Sequence, residues 1–147
     1  MKSRMNIGKI EPRIYTAMDA AEEALKTFSI DPKLAELIRI RASQLNGCGF
    51  CINMHSKDAR AGGETEQRVY AVSAWWETPF FSEAEQVALK LTEEVTRMTR
   101  KGVSEKTYNH AVTLFGEQTV AQIIFTIVTI NAWNRLAVAT HMVAKKD

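Results

Sequence analysis

Apolar positions recur at intervals of three and four through nearly the whole chain, and the breaks between them carry helix-capping residues. Pro12 opens a segment in which Ile14, Met18, Ala21 and Leu25 fall on one face. Asp31-Pro32 predicts a second helix, with Asp31 as N-cap and Pro32 at the first helical position, where a missing N–H costs nothing. Leu34, Leu37, Ile38, Arg41 and Leu45 share a face of that helix, and Asn46-Gly47 stops it. A third helix is predicted from near Cys48 to Gly62-Gly63, and a fourth from Thr65 through Val69, Val72 and Trp76 to Thr78-Pro79. Ser82-Glu83-Ala84-Glu85 reads as a capping box, opening a helix with Val87, Leu91, Val95 and Met98 as its stripe and Gly102 near its end. Ser104 caps a shorter helix ending at Gly116, and a last one runs from about Glu117 toward His141.

That last segment is apolar on most faces from Val120 to Val138, which implies burial in the domain centre or at a subunit interface. Phe125–Ile130 has strand-like propensity, but the alternation is incomplete and the pattern is too long for an ordinary strand. Gln122, Thr126, Thr129 and Asn131 interrupt the stretch from Val120 to Trp133, leaving it short of the roughly 20 apolar residues that span a bilayer. The expected class is all-α, a bundle of about six or seven helices.

The 147 residues suit one domain, residues 1–147, large enough to bury a core without a disulfide framework or metal. Lys and Arg number 19 against 17 Asp and Glu, with the two signs interspersed, so neither a nucleic acid nor a membrane surface is the expected partner. Met1–Asn6 carries charge with no apolar run after it, which does not read as a secretory signal and makes the cytoplasm the expected compartment.

Only two cysteines are present, Cys48 and Cys51, and a bond between them would close too short a loop to stabilise much. Such a pair in a reducing compartment points to redox or metal chemistry. On a helix starting at Cys48, the side chains of Cys48, Cys51 and His55 lie within a narrow arc of one face. The free N–H groups of the first turn favour negative charge and an imidazole accepts a thiol proton, so both favour thiolate. A thiolate that attacks a peroxide O–O bond becomes sulfenic acid, which a neighbouring thiol condenses to a disulfide. A zinc site built from Cys48, Cys51, His55 and one carboxylate remains open, although no second cysteine pair exists to complete a usual ligand set. So does a pair of packed cysteines without chemistry. Glu36 falls opposite the apolar stripe of its helix, where the residues alone give a solvated carboxylate pairing with Arg39.

Glu36, twelve residues ahead of Cys48-x-x-Cys51-x-x-x-His55, resembles the signature of the alkylhydroperoxidase AhpD-like branch of the carboxymuconolactone decarboxylase family. The runs Ser43–Cys48, Lys57–Arg60 and Asn131–Arg135 also resemble that branch, and the likeness extends from about Pro12 to His141. The resemblance implies an all-helical fold that assembles into trimers or hexamers, and a thiol-dependent peroxidase reducing hydrogen peroxide or organic hydroperoxides. It makes Cys51 the peroxidatic thiol, Cys48 its resolving partner, and His55 with Glu36 the proton relay. It implies no bound cofactor or metal, and re-reduction of the Cys48–Cys51 disulfide by an external dithiol such as a dihydrolipoyl protein. One departure is Phe50, which stands where AhpD has a second histidine. Two rival readings are a lactone decarboxylase, whose branch characteristically lacks Cys-x-x-Cys, and a non-enzymatic thiol–disulfide module.

Among other candidates, His110 and His141 suit surface or packing roles. Trp75-Trp76 and Phe80-Phe81 could line an apolar peroxide pocket, although aromatics so spaced more often fill core or interface. Asn131 and Asn134 are expected to satisfy buried backbone or inter-subunit groups. Tyr70 and Arg135 carry no assignment.

Overall fold

The computed structural model describes residues 2–146, and among them every regular element is helical. In chain order these are α1 (Ile7–Ile10), α2 (Pro12–Lys26), α3 (Pro32–Leu45), α4 (Gly49–Ala61), α5 (Glu66–Ala71), a 3-10 turn (Val72–Glu77), α6 (Glu83–Thr96) and α7 (Glu105–Thr140). The caps explain the starts. Asp31, Thr65, Ser82 and Ser104 each accept a backbone N–H of the first turn, and Ser82 with Glu85 completes the capping box.

The α3 helix is the centre of the bundle, packed by α4, α6 and α7 and buried on most of its circumference, including Ala35, Ile40, Ala42 and Ser43 beyond the predicted face. One core cluster joins Leu34, Ile38, Val87, Leu91, Ile123 and Ile127. A second joins Leu37, Ile40, Val69, Val72, Trp75, Phe81 and Leu89. Trp75 and Phe81 are therefore core residues, Trp76 is exposed, and none of the Trp75-Trp76 and Phe80-Phe81 rings borders the cavity beside Cys51.

Two boundaries differ from the sequence pattern. The fourth helix is α-helical only to Ala71 and then tightens into the 3-10 turn, where Ala74 leaves helical geometry. That change of pitch buries Trp75 in place of Trp76. The α6 helix stops at Thr96, leaving Met98 exposed outside its stripe. The predicted break at Gly116 is real: its φ of 75° and ψ of 160° interrupt α7 without a linker. Residues 125–130 are helical despite their strand-like composition.

The whole of α7, at 36 residues, is long and apolar enough to cross a membrane, a test the 120–133 stretch fails by itself. Its Val120, Ile123, Ile127, Ile130 and Ala137 are buried within the bundle, as in a core helix of a globular fold. Phe125, Val128 and Val138 remain exposed.

Candidate active site

The α4 helix begins at the chemistry. Gly47, with φ of 66°, ends α3 in the left-handed region and turns the chain directly into Cys48, the N-cap of α4. Cys48 Sγ accepts the Cys51 N–H at 3.3 Å, so a sulfur does the work usually done by a Ser or Asp oxygen. Cys48 and Cys51 are joined by a disulfide, with Cα atoms 5.3 Å apart. Both are almost completely buried, at 1% and 2% exposed.

His55 follows Cys51 by one turn on the same buried face. Its Nδ1 lies 2.9 Å from Glu36 Oε2, which fixes the ring and leaves Nε2 as the nitrogen available to a thiol. Glu36 is mostly buried because α3 is central, so the face opposite its main apolar stripe is also covered. The expectation of a solvated Glu36 from the residues alone is thereby corrected, while the pairing with Arg39 holds: Arg39 Nη1 donates to Glu36 Oε1. Burial resists ionisation of Glu36, but the His55 hydrogen bond and the charges of His55 and Arg39 outweigh it and hold the carboxyl below its ordinary range.

A further layer stands behind this pair. Arg39 Nη2 is 3.9 Å from Glu22 Oε2, and Glu22 Oε1 accepts the Trp133 indole N–H at 2.9 Å. Glu36, Arg39, Cys51 and His55 border a cavity of about 430 Å³ whose apolar wall includes Tyr15, Phe50, Ile130 and Trp133. Tyr15 meets Trp133 edge-on, with centroids 5.5 Å apart. The places of Tyr15, Glu22 and Trp133 around this cavity are not legible in the sequence pattern. The one signal available there is the spacing of Ile130, Trp133 and Ala137 on a single helix face.

The four predicted residues are thus gathered, with Cys48 meeting the site through the disulfide rather than through the cavity beside Cys51. The sulfurs are bonded to each other. Asp58 Oδ2 lies 3.9 Å from His55 Nδ1, and ligating atoms of Glu36, His55 and Asp58 lie within 4.8 Å of one another.

Asn131 and Asn134 hold the junction of α3 and α7. The Asn46 amide donates to both side-chain oxygens at 2.8 and 2.9 Å, while Asn134 donates to Ser43 at 3.0 Å. These bonds fix the turn that presents Cys48. Arg135 donates to Asn131. His110 pairs with Glu83 at the surface, and His141 is the left-handed C-cap of α7.

Residues 12–94 match the carboxymuconolactone decarboxylase family. A Bacillus subtilis (strain 168) relative, uncharacterized protein YdfG, is 40% identical over 139 residues, covering 95% of each chain. The structure of an Agrobacterium tumefaciens protein of unknown function, whose name associates it with AhpD antioxidant defence, has a TM-score of 0.96 at 31% identity, covering 99% of this chain and 100% of its own. The debrominase Bmp8 shares the fold at a TM-score of 0.83 and 20% identity, over 95% of this chain and 74% of its own. With the match spanning more than half of its length, this chain belongs to the carboxymuconolactone decarboxylase family and has the AhpD-like fold.

Proposed function

We propose that the protein is a thiol-dependent peroxidase that reduces hydroperoxides through a Cys51/Cys48 dithiol–disulfide cycle. The observation that carries this reading is a Cys-x-x-Cys disulfide at a helix N-terminus with a His55–Glu36 pair one turn away. Cys51 thiolate attacks the terminal oxygen of ROOH, the O–O bond breaks, and ROH leaves with a proton delivered by His55. Cys48 then attacks the Cys51 sulfenic acid, hydroxide leaves as water with a second proton, and the disulfide forms. The net change is ROOH plus two thiols giving ROH, water and the disulfide. Glu36 orients His55, while His55 and Arg39 together keep Glu36 ionised.

The cycle requires an external dithiol to return the disulfide to two thiols, and needs no bound cofactor or metal. The exposed Phe125 and Val128 on α7 support a homo-oligomer, a trimer or hexamer by the family likeness. The lactone decarboxylase alternative has no use for the disulfide. The debrominase activity in the name of one structural neighbour belongs to a chain 20% identical and adds no substrate here.

The experiment is a steady-state assay of wild type and Cys51→Ser with hydrogen peroxide and organic hydroperoxides, using dihydrolipoamide or a simple dithiol as reductant. Turnover lost in Cys51→Ser supports the proposal. Thiols that oxidise once and never turn over would instead make the protein a thiol–disulfide module.

A further inference from the structure

The two cysteines of the disulfide border different cavities. Cys51, His55 and Glu36 border the cavity of about 430 Å³ at the relay, and Cys48 does not. Cys48 borders a second cavity of about 390 Å³, between the N-terminus of α4 and the end of α7, which touches neither Cys51, His55 nor Glu36. Phe50, Ala137 and Met142 line both and stand between them. Cys48 and Cys51 are themselves only 1% and 2% exposed, so a reagent has to enter from a bordering cavity.

We infer that the site is two-sided: the oxidant reaches Cys51 through the cavity holding the relay, and a reducing dithiol attacks Cys48 through the second cavity. For its oxidative half this rests on the proposed peroxidase cycle; its reductive half requires only the disulfide. A thiolate of the reductant bonds to Cys48 Sγ, the Cys48–Cys51 bond breaks, and its electron pair passes to Cys51, which takes a proton from His55. The reductant's second thiol loses its proton to water and attacks the first reductant sulfur. Cys48 then leaves as thiolate, a departure favoured at a helix N-terminus beside the Cys51 N–H. The reductant is oxidised by two electrons to its disulfide and the protein recovers two thiols.

The second cavity accepts a slender, largely apolar thiol carrier. Its walls near Cys48 are Gly47, Gly49, Phe50, Val138 and Met142, with His141 the ionisable residue among them. Gly49 is a natural place to obstruct it, because a Cβ there meets nothing within 4 Å. Val138 is another, exposed and bordering this cavity but not the one beside Cys51. Met54 is the corresponding position in the cavity beside Cys51.

The test follows each half-reaction in single turnovers. Protein oxidised with diamide, without peroxide, is mixed with dihydrolipoamide; separately, reduced protein is mixed with cumene hydroperoxide. Val138→Trp and Gly49→Leu are each expected to lower the ratio of the reduction rate to the oxidation rate at least tenfold. Met54→Trp is expected to raise that ratio. If Met54→Trp slows reduction as much as Val138→Trp and Gly49→Leu do, or those two leave reduction unchanged, the two-sided site is wrong. If reduced wild type fails to react with hydroperoxide, the peroxidase reading fails, and the three reduction rates still decide which cavity admits the dithiol.

Discussion

Replacing Glu36 by Gln removes one charge from a largely buried site while preserving shape and one acceptor oxygen. Two charge-assisted contacts are affected, the His55 Nδ1 bond at 2.9 Å and the bond from Arg39. A bond to a charged group contributes about 1.5–3 kcal/mol and a neutral one about 0.5–1.5. The two contacts together therefore lose about 2–3 kcal/mol. If that loss falls on the step in which His55 moves a proton, hydroperoxide turnover drops about 30- to 160-fold. The same charge affects folding, and its sign is fixed by the depressed carboxyl. Glu36 ionises more readily in the folded state, so its stabilisation is fully present above the unfolded carboxyl range near ~4.3. It is lost as pH falls through the lower folded value. Urea denaturation of wild type and Glu36→Gln is expected to show a gap of about 2–3 kcal/mol at pH 7 that shrinks on acidification into that window. A gap that stays constant, or widens as pH falls, would refute the assignment of an ionised Glu36 held by His55 and Arg39.

Five other variants have outcomes that follow from the same geometry. Cys51→Ser abolishes hydroperoxide consumption, whereas Cys48→Ser leaves a sulfenic acid on Cys51 that dimedone traps for mass spectrometry. Phe50→His, which restores the second histidine of AhpD beside Cys51, raises turnover with dithiol in the steady-state assay. Asn134→Leu costs about 1–3 kcal/mol in chemical denaturation, because the buried Ser43 hydroxyl and Asn46 amide each lose a partner. Gly116→Ala destabilises by about 1–3 kcal/mol in calorimetry through backbone strain alone, since φ is 75° and a Cβ meets no atom within 4 Å.

What the sequence shows plainly is what local physics decides. Asp31-Pro32, Thr65, Ser82-Glu85 and Ser104 cap their helices where expected, and Gly116 breaks α7, because each effect acts within one or two turns. The arc of Cys51 and His55 is likewise a property of one helix. Glu36 is different. Its helix shows a face of Leu34, Leu37 and Ile38, but only packing reveals that α3 is surrounded and that its other side is covered too. The Arg39–Glu22–Trp133 layer depends on α2, α3 and α7 meeting, and contacts spanning 111 residues between Glu22 and Trp133 leave no periodic trace. The 3-10 turn at Val72–Glu77 escapes for a related reason: a helical stripe at Val69, Val72 and Trp76 is equally compatible with an α-helix until the core selects Trp75.

The proposed order of the two thiols rests on the unequal help each receives. Cys48 is the N-cap and accepts a backbone N–H, an arrangement that stabilises negative charge on sulfur but supplies no mobile proton. Cys51 lies one turn inside the helix, on the face of His55, whose ring is held by a carboxylate that is itself held by Arg39. Peroxide cleavage needs a nucleophile and, at the same moment, a proton for the departing oxygen. Resolution and reduction instead favour a sulfur that is readily thiolate and readily expelled. Helix position alone would make Cys48 the more acidic thiol, yet acidity is the smaller demand at the first step and the larger one at the last. Cys51 therefore suits the oxygen chemistry and Cys48 the sulfur chemistry, a division that dimedone labelling of Cys48 in place of Cys51 would reverse.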